Sequence, residues 1–328
     1  MKAIIIERTG GSEVLTLQDV NEPSAIGNWV KIRVHAFGLN RAEAYFRQGV
    51  FGNLTEPRIP GIEAAGEIMD DPSGYFRKGQ RVITAMGGLM MARHGSYAEY
   101  VMAPVSHVLA VDTHDMAWAE LASLPIAYLT AWGALDKNLC IEAGQTLLIR
   151  GATSSVGLAA LSYAKARGLT VIATTRSANK AEYLRAFGAD HILIDQGEIA
   201  EQVRSLVPEG VDKALEVVGA ATLKDTLKTL RHWGEVAVIG LLGGPPVIEH
   251  FHLMADLPNT VKLSFFSSGL LGSAQMPVSE SPLNWIAKQV NAGKIPSILS
   301  RQFNFSDIQQ AHAFMESNEA NGKLVVTF

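Results

Sequence analysis

Polar and apolar residues alternate along "VKIRVHA", residues 30 to 36, with the period of two that marks a half-buried strand. Similar short runs flank it: "KAIIIER", "VLTLQDV", "AAGEIMD", "QRVITAM" and "SYAEYVMAP". Glycine or proline punctuates them about every ten residues, so the first hundred or so positions are expected to form an antiparallel barrel or sandwich. From about Ser123 the rhythm changes. Near-continuous apolar runs ("TLLIRG", "TVIATTR", "DHILID", "KALEVVG", "EVAVIG", "TVKLSFFSS") alternate with amphipathic ones ("VGLAALSYAKARG", "KAEYLRAFG", "EIAEQVRSLV", "TLKDTLKTLRHWG"). Strands apolar on both faces and separated by helices indicate a parallel, doubly wound sheet. The remainder reads as helix "PLNWIAKQVNAG", strand "ILSRQFNF", helix "SDIQQAHAFMESN" and strand "KLVVTF".

A length of 328 residues favours two domains. Hydrophobic residues at 48% and charged ones at 18% mark a globular chain. A net charge of -4, with no long run of like charges, gives no general attraction to nucleic acid, so a small neutral or anionic ligand is expected instead. The single Cys140 excludes an intramolecular disulfide and a cysteine-rich zinc lobe. The apolar start "MKAIIIERTG" breaks at Glu7 and Arg8, and no stretch approaches the ~18 uncharged apolar residues of a membrane span. A soluble cytoplasmic protein is the expectation.

The stretch "IRGATSSVGLAALSYAKARG", residues 149 to 168, has the strand, turn and helix order of a dinucleotide-binding unit. Its turn, Gly151, Thr153, Ser154, Ser155, Val156 and Gly157, departs from the glycine motif at Ser154. Serine serves there only if its backbone avoids positive φ. About 20 residues on, where an NAD site carries an acid for the ribose 2′-hydroxyl, the strand ends instead in Thr175, Arg176, Ser177 and, shortly after, Lys180. Two cations and a hydroxyl suit a 2′-phosphate, so NADPH is expected over NADH.

Blocks spread along the chain, "GLNRAEAYFRQG", "IPGIEAAGEI", "GQRV", "GSYAEYV", "LPIAYLTAWGAL", "GATSSVGLAALSYAK", "GEVAVIG" and "NGKLVV", resemble the zinc-independent medium-chain dehydrogenases/reductases, and specifically their quinone oxidoreductase group. The resemblance implies a GroES-like antiparallel β-barrel catalytic domain over 1–122, a Rossmann doubly wound domain over 123–268, and a return to the first over 269–328. Where zinc enzymes of that superfamily carry a cysteine and a histidine ligand, this chain has Asn40 and Ile62. His250 and His252 form a close pair with no third ligand evident, so no metal is expected.

The resemblance also assigns candidates. Asn40, Tyr45 and Arg47 line the substrate cleft: Asn40 bonds the substrate oxygen or caps the backbone, Tyr45 donates a proton or forms the wall, and Arg47 faces cofactor phosphates or pairs with Glu43. Glu63 is a buried structural acid. Thr130 contacts the nicotinamide, and Asn321 and Lys323 reach the cofactor from the C-terminal segment. Val218, Gly219, Ile239, Gly240, Phe265, Phe266 and Ser267 border it from the last strand ends, because ligands sit beyond strand C-termini. Phe51 stands where the family commonly has tyrosine, which shifts the acceptor toward apolar molecules. Without zinc, hydride delivery to a quinone or enone, whose product anion is delocalised, needs less stabilisation than forming an alkoxide. The expected function is NADPH-dependent reduction of a quinone or enone. The alternatives are reduction of enoyl thioesters or enals, and a non-catalytic NADPH-binding structural or regulatory role. An edge position for "VKLSFFSS" suggests a homodimer.

Overall fold

Three strands open the chain: β1 (Lys2–Ile5), β2 (Thr16–Asp19) and β3 (Trp29–Gly38). The alternation of β3 buries Val30, Ile32, Val34 and Ala36 and leaves Arg33 exposed, and within three residues the strand gives way to helix α1 (Arg41–Arg47). Strands β4 (Glu63–Asp70), β5 (Arg81–Ala85), β6 (Tyr100–Pro104) and β7 (Val108–Ala110) lead to helices α2 (Trp118–Ala122) and α3 (Pro125–Trp132). Next come β8 (Thr146–Arg150), α4 (Ser155–Ala166), β9 (Thr170–Thr175), α5 (Ala181–Ala186), β10 (His191–Ile194), α6 (Ala200–Leu206) and β11 (Val211–Glu216). After α7 (Ala220–Lys228), β12 (Leu230–Val238), α8 (Leu253–Asp256) and β13 (Lys262–Phe265), the chain closes with α9 (Leu283–Asn291), β14 (Leu299–Asn304), α10 (Ile308–Glu316) and β15 (Lys323–Thr327).

The computed structural model describes all 328 residues, Met1 to Phe328, in two units: Met1–Leu129 with Ser268–Phe328, and Thr130–Ser267. In the first, a seven-stranded sheet runs β14-β15-β3-β4-β5-β7, with β6 also on β3, and β1 and β2 form a separate antiparallel pair. Its pairings are antiparallel except β14 with β15, which run parallel because α10 carries the chain back between them. Ile4, Ile32, Phe37, Ile68, Tyr97, Leu324 and Val326 lie in its core.

The second unit is a six-stranded parallel sheet in the order β10-β9-β8-β11-β12-β13. Strand order reverses between β8 and β11, the place where open α/β sheets leave a crevice at their carboxyl ends. Leu148, Ile172, Val203, Ala214, Leu227 and Val236 build its core. One expectation is corrected here: the helix read through "TLKDTLKTLRHWG" stops at Lys228, and "LRHWG" already belongs to β12. Leu230 is buried opposite Val211, and a register shift with Trp233 at φ +65° takes up the extra residues before pairing resumes at Glu235.

Candidate functional site

Because β8, β9, β11, β12 and β13 are parallel, their following residues line one edge of the sheet. That edge gathers Gly151 to Gly157, Thr175 to Ser177, Val218 and Gly219, Ile239 and Gly240, and Phe265 to Ser267. Ser154 has φ −72° and ψ 161°, so no glycine is required there. It is the N-cap of α4: its hydroxyl accepts the Gly157 N–H at 3.1 Å and donates to the Gly151 carbonyl at 2.8 Å. Gly157 is held to glycine by close approach, since a Cβ there would lie 2.6 Å from the Gly151 oxygen and 2.7 Å from Ala152 Cα. The N–H groups of Thr153, Ser155 and Val156 find no acceptor within the protein. Aligned free donors at the start of a twelve-residue helix are the arrangement that receives a phosphate group.

At the neighbouring strand end, Thr175 Oγ1 accepts the Ser177 N–H at 3.2 Å and Ser177 Oγ donates to Asn179 at 2.6 Å. Arg176 is exposed and Lys180 half-buried, and neither forms an ion pair. These residues fit a phosphorylated dinucleotide: the turn offers N–H groups and the next strand end offers two unengaged cations.

In the first unit a buried polar cluster forms around the junction of β3 and α1. Asn40, the N-cap of α1, receives the Lys323 ammonium on Oδ1 at 2.7 Å and donates through Nδ2 to Glu63 Oε1 at 2.8 Å and Glu43 Oε1 at 3.2 Å. Lys323 is also 2.5 Å from Glu63 Oε1, and both side chains are essentially inaccessible to solvent (1% and 0%). Gly38, ending β3, makes room for this pair, since a Cβ there would lie 2.4 Å from both Glu63 Oε1 and Lys323 Cε. Glu63 Oε2 accepts the Ile126 N–H at 2.7 Å. Glu43 takes the Tyr97 hydroxyl at 2.6 Å and the N–H groups of Asn40 and Ile62 at 2.7 and 3.1 Å. Beyond it the Tyr97 hydroxyl meets His312 Nε2 at 3.0 Å, while His312 Nδ1 is buried without a partner.

Burial pushes the Glu43 carboxyl up to about 7, against the pull of the Tyr97 hydroxyl, the Asn40 N–H and the Lys323 charge. Burial, with the adjoining Glu43, raises the Tyr97 phenol well above its ordinary value. Burial and the nearby Arg47 charge push His312 down to about 3. The cluster therefore holds a neutral imidazole and a carboxyl that titrates near neutrality.

The candidates differ in their surroundings. Tyr45 is half-buried, with its ring edge-on to exposed Phe51 at 6.3 Å. Arg47 is fully buried and donates to the Gly10 carbonyl and to Glu316, so Glu43 is not its partner; α1 turns the two side chains to different neighbours. Thr130 lies in α3 and is 9% exposed, and Asn321 is exposed two residues before β15. Lys323 has its ammonium engaged inside the first unit. Tyr97 and His312 were not singled out by sequence, since nothing in "GSYAEYV" or "IQQAHAF" distinguishes them from core residues. No three His, Cys, Asp or Glu side chains are grouped where they could hold a metal ion.

Comparison with known proteins agrees with this architecture. Residues 27–113 match the family model described as alcohol dehydrogenase GroES-like domain, and residues 155–277 match that described as zinc-binding dehydrogenase. The chain belongs to the medium-chain dehydrogenase/reductase superfamily, built from a GroES-like domain and a Rossmann-like parallel-sheet domain. Within it the chain falls in the quinone oxidoreductase group. It is 28% identical to human quinone oxidoreductase over 334 residues, covering 99% of this chain and 97% of that one. The structure of a quinone oxidoreductase from Coxiella burnetii superposes with a TM-score of 0.83 at 26% identity, covering 100% and 99% of the two chains. A mycobacterial protein whose structure was solved in complex with NADPH superposes at 0.87, with 26% identity and full coverage of both. The protein is thus an oxidoreductase of this superfamily, and no helix is long and apolar enough to cross a membrane.

Proposed function

We propose that the protein is an NADPH-dependent reductase that delivers hydride to quinones or other α,β-unsaturated carbonyls without zinc. The observation that carries this reading is the pairing of free N–H groups at Thr153, Ser155 and Val156 with unengaged Arg176 and Lys180 at the next strand end. The turn would hold the pyrophosphate, and Arg176, Ser177 and Lys180 the 2′-phosphate. Val218, Gly219, Ile239, Gly240 and Phe265 to Ser267, on the same sheet edge, would border the nicotinamide, with Thr130 as a further contact. When bound, NADPH supplies the hydride from its nicotinamide C4. On the first unit, the Tyr45 hydroxyl and the apolar ring of Phe51 would orient a conjugated acceptor, and Asn40, its amide held by Lys323, Glu63 and Glu43, would meet the acceptor oxygen. A delocalised enolate or hydroquinone anion needs only such hydrogen bonding, with the proton following from solvent or Tyr45. The superposition on an NADPH-bound neighbour and the quinone oxidoreductase relatives support the reading.

The test is loss of NADPH absorbance with an ortho-quinone, a para-quinone and a simple enone, repeated with NADH. Turnover with NADPH about a hundredfold above NADH is expected, because each charge-assisted contact to a 2′-phosphate contributes roughly 1.5–3 kcal/mol. Equal rates with both coenzymes would remove the 2′-phosphate assignment. Saturable NADPH binding without turnover would favour a non-catalytic role, and stoichiometric zinc in the purified protein would end the zinc-free reading.

We further propose a cytoplasmic homodimer joined through the second unit. β13 closes one end of the six-stranded sheet with exposed Leu263 and Phe265, and an unpaired edge invites pairing across a two-fold axis. Sedimentation is expected to give twice the chain mass of 35.3 kDa; the mass of one chain would refute it.

A further inference from the structure

Arg150 ends β8 directly before the Gly151 turn, yet its side chain is wholly buried. Its guanidinium is engaged on every side. Nε and Nη2 donate to the two oxygens of Asp195 at 2.7 and 2.9 Å, and Nη2 also reaches the Gly197 carbonyl at 2.7 Å. Nη1 donates to Asp225 at 2.8 Å, to Thr226 Oγ1 at 3.0 Å and to the Thr222 carbonyl at 3.1 Å. A buried cation persists only when its donors are met in this way.

Two chains of hydrogen bonds leave this centre, and both end on backbone N–H groups of the sheet edge described above. Through Asp195, the Thr174 hydroxyl is held at 3.4 Å, and Thr174 Oγ1 in turn accepts the Gly151 N–H at 3.1 Å. Through Thr226, whose hydroxyl donates to Glu216 Oε2 at 2.5 Å, the other Glu216 oxygen accepts the N–H groups of Val218 and Gly219 at 2.8 and 2.9 Å. Asp225 also receives the Ile199 and Ala200 N–H groups, which anchors the start of α6 to the same centre. The turns after β8 and β11 flank the point where strand order reverses, and one guanidinium ties both.

We propose that Arg150 is a positioning residue for the dinucleotide: it sets the Gly151 and Val218–Gly219 turns in mutual register so that the helix α4 N–H groups meet the pyrophosphate. This rests on the coenzyme reading above. The fork geometry is essential, because lysine offers a single point charge and cannot grip Asp195 with two parallel bonds while reaching Thr226. The assignment concerns the part that all nicotinamide dinucleotides share, so it affects NADPH and NADH alike.

The experiment is fluorescence titration of the intact chain with NADPH and with NADH, alongside acceptor KM at saturating NADPH and the melting temperature. Thr174→Val keeps the shape and the charge centre and removes only the hydroxyl linking Asp195 to Gly151. It is expected to raise the Kd for both coenzymes about three- to tenfold, the scale of one hydrogen bond. Arg150→Lys is expected to raise both by a larger common factor, roughly ten- to a hundredfold, for the several charged bonds it loses. In both variants the NADPH to NADH ratio and the acceptor KM stay within about twofold of wild type. Unchanged Kd in Thr174→Val, or in a folded Arg150→Lys with a lowered melting temperature, would show that the centre braces the fold alone and overturn the inference. A change in the coenzyme ratio would overturn it as well. Should the wild-type protein bind neither coenzyme, the coenzyme reading itself fails, and this inference fails with it.

Discussion

Replacing Lys323 by methionine is expected to destabilise the protein by about 3–5 kcal/mol, the cost of leaving a buried carboxylate without its counter-ion. Lys323 and Glu63 are both sealed from solvent, and Glu63 keeps only the Asn40 amide and the Ile126 N–H once the ammonium is gone. Solvent screening, which reduces exposed ion pairs to under about 1 kcal/mol, does not act here. Glu63→Gln added to Lys323→Met removes the stranded charge and is expected to restore most of the loss. Urea unfolding of the intact chain, followed for wild type, both single variants and the double variant, gives the coupling. A loss below about 1 kcal/mol in Lys323→Met would mean that the pair is hydrated and contributes little.

The second large effect is a pair of opposed pH dependences. Glu43, raised from 4.5 to about 7, binds more protons in the folded than in the unfolded chain between those values, so its contribution is complete below pH 4.5 and is lost as pH rises through 7. His312, lowered from 6.5 to about 3, behaves oppositely: its contribution is complete above pH 6.5 and is lost as pH falls toward 3. At about 1.4 kcal/mol per pH unit the two nearly cancel between pH 4.5 and 6.5 in the wild type, and variants expose them. Relative to Glu43→Gln, the wild type is expected to lose about 3 kcal/mol as pH rises from 4.5 to 7. Relative to His312→Gln, it is expected to gain about 3 kcal/mol between pH 4.5 and 6.5. Difference curves from urea titrations at several pH values check both signs. A flat curve for either variant would show that its side chain titrates normally and that the cluster is open to water.

The strand–turn–helix of the second unit was legible because its signal is local: "TLLIR" and "TVIATT" became β8 and β9 with those bounds, and Ser154 could be judged from the φ that its position demands. The end of α7 was not legible, because "TLRHWG" keeps helical spacing and only the burial of Leu230 against Val211 draws it into the sheet. The same limit hid the parallel pairing of β14 with β15, a property of the crossover rather than of either strand. In the first unit, Asn40 and Lys323 were found by family likeness, but their mutual bond spans 283 positions and no periodicity announces it. Tyr97 and His312, 215 positions apart, were invisible for the same reason, as was the role of Arg150, whose partners Asp195 and Asp225 lie 45 and 75 positions further on.

β15 lies between β14 and β3, although almost three hundred residues separate its start from β3 in the chain. During synthesis, when domains close in the order in which they emerge, the second unit has all of its strands before the first has its full sheet. Until residue 323 leaves the ribosome, the Glu63 carboxylate has no ammonium to receive, and the flank of β3 that pairs with β15 remains unzipped. A nascent chain stalled before that point carries an open β edge beside one uncompensated acid. β15 is therefore the strand that closes the sheet of the first unit, and a chain without it exposes an edge open to wrong pairing.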